Sequence, residues 1–341
     1  MSIFASYQLL DFGDGRRLEH FGGVTLDRPC SAAERTTKSD PAAWQSADAR
    51  FDGRREEKGK WTCRRNLPDR WTVAFGPLRF ELKRTEFGHL GLFPEQAENW
   101  DWIAQTLSAA KKEDAADRLR VRPPLETLPC QGFRRQNNRL LAVPTALTPG
   151  PSPVGRARGG RKADELFKVL NLFAYTGGST LAAAAAGARV THVDAAKNVV
   201  AWARRNAELS GLADAPIRWI AEDAAKFVQR ELKRGNRYDA VILDPPSYGH
   251  GPQGEVWQLA KHLPKLMAMC GELTAGRAAF LLLTCHTPGY DAPTLAAMMQ
   301  DVWGKRGRWI AGPLSIPAAT GARLPSGVVV KWSSRNLKSE I

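Results

Sequence analysis

The strongest constraint on the fold is an alternation of short apolar runs with segments of helical length, which begins at residue 168. Apolar strand candidates lie at residues 168–173, 190–193, 217–221, 238–243 and 278–284. Helix candidates lie between them, at residues 179–186, 197–210, 224–233 and 256–270. Strands that alternate with helices form a parallel, doubly wound α/β sheet. We expect residues 328–332 to close this sheet as an antiparallel strand, and we assign residues 168–341 to one domain.

The first 98 residues predict a small β-rich region instead. Strand candidates lie at residues 7–12, 16–21, 24–26, 61–65, 71–75 and 78–84. Gly13-Asp14-Gly15 and Gly76-Pro77 separate neighbouring candidates, as is typical of β-hairpins. The polar stretch 29–60 is predicted as loop, and residues 99–110 as an amphipathic helix.

Residues 99–167 are predicted to contain that helix and a flexible, basic linker or insertion. Residues 118–162 hold ten basic residues, one acid and seven prolines, without periodicity, so they cannot bury a core face. The net charge of the chain is +14, which suits a polyanionic partner such as RNA. The alternative is a basic protein that binds no nucleic acid, with much of the charge in this linker.

Composition restricts the class of protein. Hydrophobic residues make up 43% of the chain, which is enough for a packed core, and no apolar run is long enough to span a bilayer. The N-terminal residues lack the basic and apolar regions of a signal peptide, so we expect a cytoplasmic protein. Five cysteines without CxxC spacing predict free thiols and no metal site.

Candidate ligand-binding residues follow the ends of the predicted strands, where doubly wound sheets bind their ligands. The first strand leads into Gly177 and Gly178, whose backbone can approach a ligand closely and offer helix N-terminal amides to an anion. The segment lacks the GxGxxG pattern of dinucleotide sites, so an amino-acid carboxylate fits better than a pyrophosphate. The expected cofactor-binding residues here are Asn171, Phe173, Tyr175, Thr176, Gly177 and Gly178.

Two acidic residues follow the next two strands. Asp194 ends the second strand, where a carboxylate can accept hydrogen bonds from both hydroxyls of a ribose. Asp223 follows the third strand and is a candidate acceptor for an adenine amino group. Each also precedes a predicted helix, so each could serve only as a helix N-cap.

The fourth strand ends in the most specific motif of the chain, Asp244-Pro245-Pro246-Ser247-Tyr248. Two prolines impose an extended exit from the strand, and we expect their carbonyls to lack turn partners and to face a substrate. Tyr248 is then placed to stack on an extruded planar base. The alternative is a rigid loop with Tyr248 packed inward.

The fifth strand ends at Cys285, followed by His286. A thiolate that adds to carbon 6 of a pyrimidine makes carbon 5 nucleophilic enough to accept a methyl group. We therefore consider Cys285 a candidate nucleophile, which His286 and the basic surroundings could activate. The alternative is a buried, inert cysteine, the more common case.

Taken together and in this order, these motifs resemble those of class I S-adenosylmethionine-dependent methyltransferases. More narrowly, they resemble the bacterial large-subunit ribosomal RNA methyltransferases that modify cytosine carbon 5 or guanine N7. The resemblance covers residues 168–332 and extends to 87–96, which is similar to a hairpin that in this family ends in Asp-Gln-Arg. The cytosine enzymes have a cysteine where this chain has Cys285. Two departures are an N-terminal region unlike their RNA-binding domain, and Ser247-Tyr248 in place of Lys-Phe.

The resemblance implies a Rossmann-like sheet and S-adenosylmethionine as the cofactor. Gly177 and Gly178 would lie near its methionine part, Asp194 would bind the ribose, and Asp223 and Asp244 would complete the cofactor site. The expected catalytic residues are Asp244, Pro245, Pro246, Tyr248 and Cys285.

The favoured activity is methylation of an RNA base, in ribosomal RNA and at cytosine carbon 5. Three alternatives remain open. The acceptor could be a base nitrogen or a protein amide or amino group. An NAD-dependent oxidoreductase is disfavoured by the missing GxGxxG, and a non-catalytic RNA-binding relative by the intact motifs.

Overall fold

The computed structural model describes residues 6–53, 58–121, 166–251 and 254–334. The predicted linker at 118–162 lies outside these ranges, except for residues 118–121, which belong to a helix. The described residues form a β-rich N-terminal part and a larger α/β part, as the sequence predicts.

The N-terminal part contains a five-stranded sheet and a separate hairpin. The sheet has the order β1 to β5, and all its neighbours are antiparallel except β3 and β4. Its strands are β1 (Tyr7–Gly13), β2 (Arg16–Phe21), β3 (Val24–Pro29), β4 (Ala49–Asp52) and β5 (Lys60–Cys63). The hairpin pairs β6 (Arg70–Phe75) with β7 (Leu78–Lys83).

The strand β4 lies within the stretch that the sequence predicts as loop. Only Ala49 and Phe51 of this strand are buried, and they alternate with the exposed Arg50 and Asp52. A period-two pattern of four residues is too short to be recognised beside so many polar neighbours. The prediction of an uninterrupted loop over 29–60 is therefore wrong.

The α/β part contains seven strands in one sheet and a small outer hairpin. The sheet strands are β8 (Lys168–Leu172), β9 (Arg189–Asp194), β10 (Ile217–Ala221), β11 (Ala240–Leu243), β14 (Phe280–Cys285), β15 (Arg308–Pro317) and β16 (Arg323–Ser333). The hairpin strands are β12 (Tyr248–His250) and β13 (Val256–Gln258). The helices are α1 (Ala97–Val121), α2 (Gly178–Ala185), α3 (Lys197–Leu209), α4 (Ala224–Lys233), α5 (Leu259–Thr274) and α6 (Ala292–Trp303).

The strand order of the large sheet is β10-β9-β8-β11-β14-β16-β15. The first five strands are parallel, and β16 is antiparallel to both β14 and β15. This order confirms the predicted mostly parallel sheet with its antiparallel closing strand. The switch point lies between β8 and β11, where crossovers leave in opposite directions and open a crevice at the carboxyl ends.

Several further elements differ from the sequence prediction. The strand β15 and the helix α6 were not predicted, because Gly312 and Pro313 interrupt the strand pattern and much of β15 is exposed. The predicted helix over 256–270 begins at Leu259, since residues 256–258 form β13 and pair with β12.

The two parts share a continuous apolar core. It includes Leu9 and Phe80 from the N-terminal part, Trp100 from α1, and Leu181 from α2. Polar contacts support this packing: the Trp202 indole N–H on α3 donates to the Glu81 carbonyl on β7 over 2.9 Å, and the Glu81 backbone N–H donates to Asn206 over 2.8 Å. The N-terminal part is therefore packed firmly on the α/β part.

A buried charged cluster lies beneath the N-terminal sheet. The Glu19 carboxylate accepts hydrogen bonds from the Tyr7 hydroxyl, over 3.0 Å, and from the Arg28 guanidinium, and it forms an ion pair with Arg17 over 3.1 Å. Burial would raise the pKa of Glu19, but the charges of Arg17 and Arg28 outweigh burial and lower it. Removing one member of such a cluster leaves uncompensated buried charge.

No helix within the four described ranges is long and apolar enough to cross a membrane.

We predict that Glu19→Gln lowers the free energy of unfolding by about 3–5 kcal/mol, the usual cost of breaking a buried ion pair from one side. The matched control is Asp52→Asn, which breaks the exposed Arg50–Asp52 pair and should cost no more than about 1 kcal/mol. Urea denaturation followed by circular dichroism measures both. Equal losses in the free energy of unfolding would contradict the prediction that the buried cluster contributes more to stability than the exposed ion pair.

Candidate active site

The loop after β8 has a strained backbone. Phe173 and Tyr175 adopt positive φ angles of 55° and 47°, and Gly177 follows with 94°. Residues other than glycine rarely adopt this region, and such strain concentrates at binding sites. Alternation of positive and negative φ turns successive backbone N–H groups toward one side, which favours an anion. Together with the N-terminus of α2, this loop can therefore receive a carboxylate.

Asp194, at the end of β9, holds this loop in place. One carboxylate oxygen accepts from the Tyr175 backbone N–H over 2.9 Å, and the other accepts from the Ala196 N–H over 3.0 Å. Burial raises the pKa of Asp194 despite these two bonds. Each oxygen keeps a lone pair, so the carboxylate can still accept two hydroxyl groups of a ribose.

A cleft opens beside this loop at the carboxyl end of the sheet. The α/β part lines it with Asn171, with residues 173–179 and with Asp244. The other wall comes from Leu92, Phe93 and Gln96, which precede α1, and from Trp100 in the first turn of α1. The cleft is therefore bounded by both parts of the chain, and its N-terminal wall corresponds to the 87–96 segment that the resemblance singled out.

Gly178 is required by packing against this wall. A Cβ atom at Gly178 would lie 2.4 Å from the Trp100 ring, so only glycine admits the indole there. Gly177 instead needs its positive φ, and a Cβ there would lie 3.2 Å from the Ala203 methyl. Glycine is thus required at the two positions for different reasons, which the sequence alone cannot separate.

The Thr176 hydroxyl and the Asn171 amide donate hydrogen bonds to other groups of the protein. The Thr176 hydroxyl donates to the Gly91 carbonyl over 2.6 Å, and the Asn171 amide donates to Thr180 over 2.9 Å. Thr180 in turn contacts the buried His192 ring over 2.9 Å. Both residues line the cleft, yet these bonds make them supports of the loop; a direct bond from either to the cofactor stays a prediction.

Asp223 acts as the N-cap of α4, where its carboxylate accepts from the Lys226 backbone N–H over 2.9 Å. Asp223 therefore caps the helix, as the alternative interpretation predicts. Its role as an acceptor for an adenine amino group stays a prediction.

Asp244 is the most extensively bonded acid at the cleft. Its Oδ1 accepts from the Thr284 hydroxyl over 2.5 Å, and the His286 Nε2 lies 3.4 Å from the same oxygen. Its Oδ2 accepts from the Gln96 amide over 3.1 Å. Sequence reasoning missed Gln96 and Thr284 as site residues. The final Gln of the 87–96 segment was the available signal for Gln96.

The residues after Asp244 leave the sheet toward solvent. Pro245 is buried, whereas Tyr248 is 52% exposed at the start of β12, so the inward-packed alternative for Tyr248 does not hold. The expectation that both proline carbonyls lack partners is wrong for Pro246, whose carbonyl accepts from the Trp257 indole N–H over 2.7 Å. The Trp257 ring also packs on Phe173, with centroids 4.8 Å apart, and so links this segment to the strained loop after β8.

Cys285 lies in the apolar core on one face of the sheet. Its side chain is 1% exposed and shares that core with Leu283 and Val330. Because side chains alternate along β14, the neighbouring Thr284 points to the opposite face and contacts Asp244. The His286 ring pairs with Asp244, and its activation of the thiol stays a prediction. The nucleophilic role of Cys285 stays a prediction that this burial disfavours.

Among the residues that the structure describes, no three His, Cys, Asp or Glu side chains are grouped so that they could hold a metal ion.

The fold and this site define a nucleoside-cofactor enzyme of the Rossmann-like type. The anion-receiving loop and Asp194 provide what an amino-acid carboxylate and a ribose need, while the cleft continues to Asp244. These residues fit S-adenosylmethionine, whose carboxylate, ribose and reactive methyl group lie along one extended molecule.

Comparison with known proteins agrees with this fit. A family model described as S-adenosylmethionine-dependent methyltransferase matches residues 154–283. The crystal structure of a SAM-dependent methyltransferase from Agrobacterium tumefaciens is 33% identical, with a TM-score of 0.77, and the match covers 98% of this chain and 92% of that one. The chain belongs to the S-adenosylmethionine-dependent methyltransferases, and S-adenosylmethionine is its cofactor.

More distant relatives match in part or in fold alone. A methyltransferase from Streptococcus mutans is 15% identical with a TM-score of 0.63, covering 97% of this chain and 76% of that one. Ribosomal RNA large subunit methyltransferase I of Aeromonas hydrophila is 38% identical over 88 residues, which are 26% of this chain and 22% of the relative. Ribosomal RNA large subunit methyltransferase K of Neisseria meningitidis is 36% identical over 84 residues, 24% of each chain. The chain thus spans about a fifth to a quarter of these curated relatives.

We predict that Asp194→Ala weakens S-adenosylmethionine binding by at least about 100-fold, because two charge-assisted hydrogen bonds are lost and each contributes about 1.5–3 kcal/mol. Glu222→Gln, which alters a nearby carboxylate paired with Arg230 at the surface, is the control and should bind normally. Isothermal titration calorimetry measures both. Unchanged affinity of the Asp194 variant would remove this residue from the cofactor site.

Proposed function

We propose that this enzyme methylates a base of RNA, in the RNA of the large ribosomal subunit. The observation that carries the proposal is the position of the Asp244–Tyr248 segment. Its carboxylate lines the cofactor cleft, while Tyr248, four residues further along the chain, is 52% exposed. A hydrogen-bond acceptor beside an exposed aromatic ring suits a flat, nitrogen-rich acceptor that has left its stack.

Two further findings support an RNA acceptor. The net charge of +14 favours a polyanion. The curated relatives that match part of the chain carry names that specify large-subunit ribosomal RNA. An enzyme with this acceptor would act in the cytoplasm.

The reaction needs alignment above all. When bound, S-adenosylmethionine supplies an electrophilic methyl group on sulfonium sulfur. Asp244 would accept an N–H of the base with its free lone pair, and Tyr248 would stack on the ring. Holding the acceptor in line with the methyl group can account for most of the rate gain in such a transfer.

The acceptor atom has two candidates. The sequence favours carbon 5 of cytosine, which requires Cys285 to add to the ring. The burial of that thiol on the face opposite Thr284 and Asp244 favours a ring or exocyclic nitrogen, whose lone pair needs no covalent help.

We predict that Tyr248→Ala lowers kcat/KM for RNA by about 5- to 100-fold, since stacking of a base on an aromatic ring contributes about 1–3 kcal/mol. Tyr248→Phe should retain most activity, and Ile310→Ala, another exposed apolar residue, should be neutral. The assay transfers labelled methyl groups to ribosomal RNA from a strain that lacks the gene. Absence of transfer to that RNA by the wild-type enzyme would refute the proposed substrate.

We predict that Cys285→Ala separates the two acceptor atoms. Under the nitrogen candidate the variant keeps most of its activity, and the wild-type enzyme forms no covalent adduct with RNA that contains 5-fluorocytosine. Under the carbon candidate the variant is inactive with normal cofactor affinity, and wild type gives a shifted band on a denaturing gel. Mass mapping of the methylated nucleotide identifies the atom independently.

A further inference from the structure

His286 lies between Asp244 and the backbone of β16. Its Nε2 lies 3.4 Å from the Asp244 Oδ1, and its Nδ1 lies beside Gly327. The Ser326 backbone favours the protonated form of the ring. A protonated imidazole has a donor on each nitrogen and carries a positive charge.

The strand β16 makes room for this ring. Gly327 has a φ of 106°, and a Cβ atom there would lie 2.8 Å from the His286 Nδ1 and 2.6 Å from the Cys285 carbonyl oxygen. Any other residue would therefore push the imidazole away from Ser326 and Asp244. The glycine, the carbonyl and the carboxylate together fix the ring in one orientation.

The groups that face His286 are mostly acidic. Asp244 contributes a hydrogen bond and a negative charge, and Glu95, which precedes α1, adds a second negative charge. Glu95 itself lies within the field of Arg17 and Glu19 from β2, and burial raises its pKa. Burial would lower the pKa of His286, but Asp244, Glu95 and the Ser326 bond outweigh it and raise the pKa to about 9.

The bonds to Asp244 leave a defined direction for the acceptor. Oδ1 is engaged by Thr284 and His286, whereas Oδ2 accepts only from Gln96 among the described contacts. The lone pair of Asp244 that stays free is therefore on Oδ2, the oxygen that also accepts from Gln96. Gln96 lines the cleft.

From this geometry we infer that His286 is a positioning residue, a protonated partner of Asp244 that aims the free Oδ2 lone pair at the methyl acceptor. With both lone pairs of Oδ1 engaged and a cation at its side, Asp244 serves as a hydrogen-bond acceptor for the base rather than as its proton acceptor. This assignment rests on the proposed function for its substrate, but the His286–Asp244 pair itself does not.

The first experiment tests the pair without RNA. Two-dimensional NMR of enzyme labelled with ¹⁵N-histidine, in the presence of S-adenosylmethionine, follows the imidazoles through a pH titration, and His286→Gln identifies the resonance. We expect His286 to remain doubly protonated up to about pH 9, and Asp244→Asn to lower its pKa toward the ordinary value of about 6.5. Titration of His286 near 6.5 in the wild-type enzyme would overturn the inference, whatever the substrate.

The second experiment tests the role in methyl transfer to ribosomal RNA. His286→Gln should lower kcat about 10- to 100-fold with little change in cofactor affinity or melting temperature. Wild-type activity should fall as pH rises through about 9, where His286 loses its proton, and the variant should lack this alkaline limb. His20→Gln on β2 is the matched control, since that ring bonds only Thr25 and Gly23 in the contacts described.

The outcomes are distinguishable. A variant with wild-type kcat and an unchanged alkaline limb would overturn the positioning role even if the pair titrates as expected. If wild type does not methylate ribosomal RNA, the proposed substrate fails, and the NMR titration still decides whether His286 and Asp244 form a charged pair.

Discussion

The structure depends on the seam where the N-terminal part meets the carboxyl end of the parallel sheet. Trp100 packs against the bare α-carbon of Gly178, and Gln96 donates to Asp244 across the same seam. The first contact brings α1 close to α2, and the second places an N-terminal amide on the central carboxylate. Without this seam the cleft would lack one wall, and Asp244 would lose one of its donors.

The parallel sheet explains why the polar groups converge. Adjacent strands β8, β9, β11 and β14 end at one edge, so Tyr175 contacts Asp194 and Thr284 contacts Asp244, although the members of each pair are separated in the chain. The strained loop at 173–177 is stabilised by Asp194, and Phe173 is packed on Trp257. The loop after β8 and the segment that follows β11 are thereby joined through side chains in direct contact.

The sequence predicts what depends on local pattern and strand order. Alternation of strands and helices is enough to place Asp194, Asp223 and Asp244 at strand ends, because topology decides that edge. It does not reveal which partner a side chain selects: Pro246 bonds Trp257, and Asp223 caps its own helix. It also misses Thr284 and the contacts of Gln96, since these arise between segments that only the tertiary fold brings together.

The sequence also does not reveal which partners Cys285 and His286 contact. Cys285 is the last residue of β14 and His286 follows it. The Cys285 thiol lies in the core shared with Leu283, whereas the His286 ring lies on the side of Asp244. A motif that lists Cys and His as neighbours suggests that they act together, whereas alternation along a strand separates them. The imidazole therefore lies beside the carboxylate at the cleft, whereas the thiol lies in the core on the opposite face of the sheet.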